Sequence, residues 1–138
     1  MMKRMLTLIF ILNLFASVLK APIYPVAYIT REEGIRDQRL LNAVIQVESG
    51  GNPLQINYSE MAVGLLQIRE IMLKEVNRLV GYEKYTVKDC LDSLKSIEMF
   101  WIVQNYWNPA NEIKKGCQVW NGISKKNKYY AKIQKLLL

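Results

Sequence analysis

Glu48 stands at the end of an amphipathic stretch, directly before Ser49-Gly50-Gly51. A carboxylate in the last turn of a helix faces the negative end of the helix dipole, which disfavours its ionised form. The apolar neighbours Val44, Ile45 and Val47 disfavour ionisation further wherever the site is buried. Both effects raise the pKa, as a general acid working near neutral pH requires. Taken alone, the same residue also reads as an exposed glutamate in a fraying helix end. Two counts narrow the chemistry. The 138 residues contain no histidine and only two cysteines, Cys90 and Cys117. Without histidine there is no Ser-His-Asp or Cys-His hydrolase and no histidine-ligated metal. Two thiols are too few for a four-thiolate zinc site. Acid–base work therefore falls to carboxylates, tyrosines or lysines, and no metal or cofactor is expected. Glu60 is the best-placed second acid, ahead of Glu70 and Asp89, and all three also read as surface charges.

The surroundings of Glu48 are more specific than the residue itself. Glu48-Ser49-Gly50-Gly51-Asn52-Pro53 is followed by Ala62-Val63-Gly64-Leu65-Leu66-Gln67-Ile68, and a third element, Trp120-Asn121-Gly122, precedes Tyr129 and Ile133. Together these segments resemble the signature of the soluble lytic transglycosylase family, which is related in fold to goose-type lysozyme. In that family a glutamate-serine pair leads into an asparagine-proline turn, then a glycine-leucine-(methionine or leucine)-glutamine-isoleucine segment at a helix start. The resemblance spans residues 38–135 and implies cleavage of the β-1,4 bond between N-acetylmuramic acid and N-acetylglucosamine in peptidoglycan strands. It implies Glu48 as the single catalytic acid and then base, the muramic 6-hydroxyl being the nucleophile that closes a 1,6-anhydro ring, unlike the two-carboxylate glycosidases.

The resemblance also implies substrate-binding roles, each beside a structural alternative. Ser49 would bond near the catalytic carboxylate, or cap its helix. Gly64 would let the backbone approach sugar, or a facing helix. Leu66 would line the cleft where methionine is common, and Gln67 would contact sugar or stand exposed. Asn121 would hold a turn or bond a sugar amide. Trp120 replaces the usual tyrosine, so it can stack on sugar but offers no phenolic hydroxyl. Tyr129 is then the remaining phenol for Glu48, or a core residue. The segment Arg69-Glu70-Ile71 departs from the threonine- or proline-containing sequence usual at that point.

The elements that must position these residues read as helices. Apolar periodicity predicts helices over residues 36–48, 62–80, 92–107, 110–119 and 128–137. Gly50-Gly51, Gly81 and Asn108-Pro109 act as terminators. Residues 22–30 alone read as extended. The fold class expected is mainly α, a single small lysozyme-like domain over residues 22–138, monomeric.

The remaining features concern location and partners. Residues 1–21 read as a signal peptide: Lys3 and Arg4 precede an apolar run, and small residues follow at Ala16, Ser17 and Ala21. An uncleaved anchor is the alternative, although the run is short for a bilayer. Export to the periplasm or cell envelope is the expectation, and it leaves Cys90 and Cys117 open as a disulfide or as two buried thiols. The formal charge of +7 is concentrated at the ends, with seven lysines after residue 113. That lysine-rich end suits an anionic envelope surface, or is a solvated helix face. No nucleic-acid-binding motif accompanies it. Two other readings stay open: a peptidoglycan hydrolase using water, and a non-catalytic glycan-binding or assembly protein of the same fold.

Overall fold

The computed structural model describes residues 38–122 and 128–138. The expected leader, the extended segment 22–30, and Lys125 and Lys126 lie outside the described residues. Helix α1 (Gln38–Ser49) buries Leu40, Leu41, Ala43 and Val44, a stripe at the three-and-four spacing of one helix face. Gly50 and Gly51 end it with φ of 61° and 88°, values that suit residues without a Cβ. Three two-residue antiparallel strands follow in the order β1-β2-β3: β1 (Ile56–Asn57), β2 (Ala62–Val63) and β3 (Ile68–Arg69). Ile56 pairs with Val63, and Val63 in turn with Ile68.

Helix α2 (Glu70–Val80) ends at Gly81 in the left-handed conformation. A short 3₁₀ turn (Val87–Leu91) opens with a reciprocal Thr86–Asp89 capping box. Helix α3 (Ser93–Trp107) is capped by the Asp92 carboxylate, which accepts from the Leu94 and Lys95 amides. Helices α4 (Ile113–Asn121) and α5 (Lys128–Leu137) complete the described chain. Helix α3 lies at the centre, with Met99, Phe100 and Val103 nearly or fully buried. The Phe100 ring meets Trp101 and Trp120 at centroid distances of 4.9 and 5.0 Å.

The mainly α expectation holds, but one predicted helix does not form as a unit. Residues 62–69 are a tight hairpin, and α2 begins only at Glu70. Leu65, Leu66 and Ile68 are buried and mimic helical spacing. The backbone between them is not helical, because Gly64 and Gln67 take φ of 81° and 49°. Gln67 is held there by its own side chain, whose amide donates to the carbonyls of Gly64 at 2.9 Å and Gln55 at 3.1 Å. The cysteines resolve as two buried free thiols, each pushed up to about 11 chiefly by burial.

Gly64 is required by contact as well as by conformation. A Cβ there would lie 1.8 Å from the Cys90 carbonyl oxygen, which already accepts the Ser96 hydroxyl at 2.8 Å. The obstacle is backbone, so it cannot rotate away. Gly64→Ala is expected to destabilise the fold by roughly 2–4 kcal/mol, the range of severe single substitutions, as measured by urea denaturation. A variant within about 0.5 kcal/mol of wild type, the ordinary surface range, would contradict this close approach.

Candidate active site

Glu48 occupies the last turn of α1, where the dipole argument requires it. Across 81 positions of chain, Tyr129 of α5 donates its hydroxyl to Glu48 Oε1 at 2.7 Å. Burial is the largest influence on the Glu48 carboxyl and holds its pKa above the ordinary glutamate value; the nearby Glu60 charge acts in the same direction. The Tyr129 hydrogen bond and the charges of Arg69 and Lys132 oppose it without cancelling it. The Tyr129 phenol is itself raised, first by burial and then by the Glu48 charge. It therefore keeps its proton and remains a donor at neutral pH.

The carboxylate faces a groove. Glu48, Glu60, Gln67, Arg69 and Asn121 line its central part, over Ile68, Met72 and Trp120. On one side it opens into a space of about 350 Å³ lined by Gln55, Asn57, Gln67, Asn121 and Tyr129, with Lys128 and Lys132 beside them. Amides and a phenol in that arrangement suit a neutral ligand rich in hydroxyl and acetamide groups. On the other side the groove opens into about 650 Å³ bounded by α2, α3 and α4.

The residues singled out in the sequence divide into two groups. Glu48, Gln67, Asn121 and Tyr129 converge on the groove. Ser49 and Gly64 are engaged within the framework, in keeping with the structural alternative beside each expected role, and the cleft-lining role expected for Leu66 is corrected. Ser49 is buried, and its hydroxyl donates to the Leu65 carbonyl at 2.6 Å. Gly64 faces the Cys90 backbone. Leu66 is 0% exposed and belongs to the core, since the hairpin turns it inward. Trp120 is an intermediate case: it borders the groove but is only 4% exposed. Its indole N–H donates to the Leu66 carbonyl at 3.3 Å, so little of the ring is left for stacking on sugar.

Among the second acids, Glu60 does line the groove beside Glu48. Glu70 pairs with Lys74 on the surface, and Asp89 serves the 3₁₀ cap and pairs with Lys95. Sequence reasoning missed Gln55, Asn57 and Lys132, which carry no local pattern and reach the groove only through the fold. Arg69 left a signal, as part of a segment unlike the family's usual one, but not one that pointed to Glu48.

Residues 28–116 match the family model described as the transglycosylase SLT domain. No curated protein and no solved structure matches the chain. The matched span includes Glu48 and the hairpin, whereas Trp120, Asn121 and Tyr129 lie beyond it.

The electrostatics of Glu48 generate a pair of expectations. In Tyr129→Phe the hydrogen bond from the phenol, which favours the ionised carboxyl, is lost, so the Glu48 pKa should rise further, as followed by carbon NMR of the glutamate carboxyls. An unchanged or lower value would refute the role of the phenol. An acid whose pKa is raised in the folded state binds its proton more tightly there than in the unfolded chain. Its contribution to stability is therefore full below the ordinary value of 4.5 and declines as pH rises through the folded-state value. Glu48→Gln should consequently gain stability relative to wild type as pH increases across that window, measured by denaturation at both ends. The opposite trend would mean that burial does not dominate at Glu48.

Proposed function

The chain belongs to the transglycosylase SLT domain family, whose members act on peptidoglycan glycan strands, and its mainly α domain is of the lysozyme-like type. From that premise we propose that it is an exported lytic transglycosylase, working in the periplasm or cell envelope on the muramic acid–glucosamine bond. The observation that supports this most is the half-buried Glu48, held by a protonated phenol and facing a groove lined by amides. Its raised pKa favours the protonated carboxyl needed at the start. Glu48 gives that proton to the glycosidic oxygen as the bond to the muramic anomeric carbon breaks, and the glucosamine leaves as an alcohol. The Glu48 carboxylate then takes the proton of the muramic 6-hydroxyl while that oxygen bonds to the anomeric carbon. The carboxyl is regenerated, and the sugar ends as a 1,6-anhydro ring.

Tyr129 steadies the carboxylate between the two steps, because its hydrogen bond is strongest to the charged form. Asn121 offers its side-chain amide to the sugar, and Gln67, whose amide nitrogen is bonded to the Gly64 and Gln55 carbonyls, offers its side-chain oxygen. The lysines of α5, Lys128, Lys132 and Lys135, provide attraction toward an anionic envelope. A second reading is favoured by Glu60, which shares the groove with Glu48: there Glu60 would activate water, and the product would be hydrated.

Digestion of peptidoglycan by the purified protein should release muropeptides about 18 Da lighter than hydrated ones, the loss of one water expected when the substrate supplies the nucleophile. Hydrated ends would establish the second reading instead. Glu48→Gln should lower the rate by at least about 100-fold, as general acid–base removal does. Full activity in that variant would overturn the assignment.

A further inference from the structure

Around strand β1 the apolar residues alternate outward. Gln55 and Asn57 are half-buried and line the groove, whereas Leu54, Ile56 and Tyr58 stand on the opposite face at 69, 42 and 79% exposure. Met61, in the turn leading into β2, is 71% exposed. In an antiparallel strand with one solvated face, polar residues ordinarily occupy that face. We propose that this apolar face docks on a lipid bilayer with anionic headgroups, which the lysines of α5 attract. The inference does not rest on the peptidoglycan reading; it adds a surface that holds the domain against a membrane.

Three observations carry it. The first is that almost no charge has to be desolvated. From Ser49 to Ile68 the one charged residue is Glu60, and it borders the groove beside Glu48. The second is that the loop pairs its own polar groups. The Asn52 side-chain oxygen accepts the Leu54 amide at 3.0 Å. That of Asn57 accepts the Ser59 amide and hydroxyl at 3.2 and 2.7 Å. The Gly64 amide donates to the Gln55 carbonyl at 2.8 Å. Groups paired in this way enter a headgroup region without leaving hydrogen bonds unmade.

The third observation is charge complementarity. Lys128, Lys132 and Lys135 are exposed and, at spacings of four and three, share one face of α5. That helix contains no acid, and none of the three forms an ion pair among the described residues. Lys128 and Lys132 stand across the space of about 350 Å³ from Gln55 and Asn57, a separation comparable to the Debye length of about 8 Å at physiological salt. A bilayer met by the hairpin therefore lies within the field of these cations, each of which attracts anionic headgroups. Tyr58 is of the side-chain type that settles where acyl chains meet headgroups. Four side chains present less surface than a standard protein partner covers, about 800 Å² a side, which favours the bilayer over a protein.

Tyr58→Cys in the full chain, labelled with an environment-sensitive fluorophore, reads the contact directly. Cys90 and Cys117 are 1% and 2% exposed, so the introduced thiol takes the label. Vesicles of phosphatidylcholine with about one-third phosphatidylglycerol, an anionic surface, should shift the emission to the blue. Binding to pure phosphatidylcholine should be at least about tenfold weaker, as when two or more lysines lose their headgroup attraction, and salt should weaken binding to the anionic vesicles. The same label at Leu94→Cys, a position 80% exposed on α3, should not respond. That comparison separates a docked hairpin from a domain held near the bilayer by another part of the chain. Adding Leu54→Ser to the Tyr58-labelled chain should weaken vesicle binding about tenfold, the scale of one large apolar side chain, with its urea midpoint unchanged. An unmoved label at position 58, an equal response at position 94, equal binding to the two lipids, or full binding with Leu54→Ser would overturn the inference. So would a shift that needs no vesicles and grows with protein concentration, which would assign the face to a second copy. The same shift on lipid-free peptidoglycan would assign it to the wall polymer and overturn the inference as well.

Discussion

Two adjacent carbonyls organise the site. That of Leu65 accepts the Ser49 hydroxyl, and that of Leu66 accepts the Trp120 indole. Through the first, the end of α1 is tied to the hairpin; through the second, so is α4. Both donors are buried, where an unpaired partner would carry the full desolvation cost of a lost hydrogen bond. The hairpin can present these carbonyls only because Gly64 lies against the Cys90 backbone, which Ser96 anchors to α3. Glu48, Arg69 and Asn121 flank these tie points in sequence, so each is delivered to the groove by a residue next to it or within a few positions.

Helix α4 is held to this arrangement from its other end by a buried amide network. Gln104 donates to the Gly116 carbonyl at 3.0 Å, and Asn108 donates both to Gln104 and to the Glu112 carbonyl. Gly116 itself sits where a Cβ would press on Leu40 and Gln104, which brings α4 close to both α1 and α3. Satisfied polar groups of this kind specify one geometry rather than a range. The consequence at the site is that Asn121, at the end of α4, faces the groove from a fixed distance along the chain.

At Glu48, burial and hydrogen bonding act in opposite senses. Burial keeps the carboxyl protonated beyond its ordinary range, while Tyr129 favours the charged form. A group that must first give and then take a proton benefits from neither form being strongly preferred. Tyr129 can play this part because its own burial raises its pKa, so it remains a donor whatever the state of Glu48.

Local sequence determined much of this. The helices α1, α3 and α5 follow from apolar spacing and from terminators that act within a few residues, such as Asp92, Gly50 and Asn108-Pro109. Glu48 follows too, since its position at a helix end and its place in a family signature are both local properties. The tertiary structure decided the rest. The hairpin over residues 62–69 imitates helical spacing, and only the left-handed turns at Gly64 and Gln67, supported by contacts to Gln55 and Cys90, make it something else. The same hairpin turns Leu66 into the core and takes up the Ser49 hydroxyl and the Trp120 indole on its carbonyls, so these residues serve as framework. The hydrogen bond between Glu48 and Tyr129 spans 81 positions. No periodicity or spacing specifies such a contact, because it exists only once α5 has packed on α1.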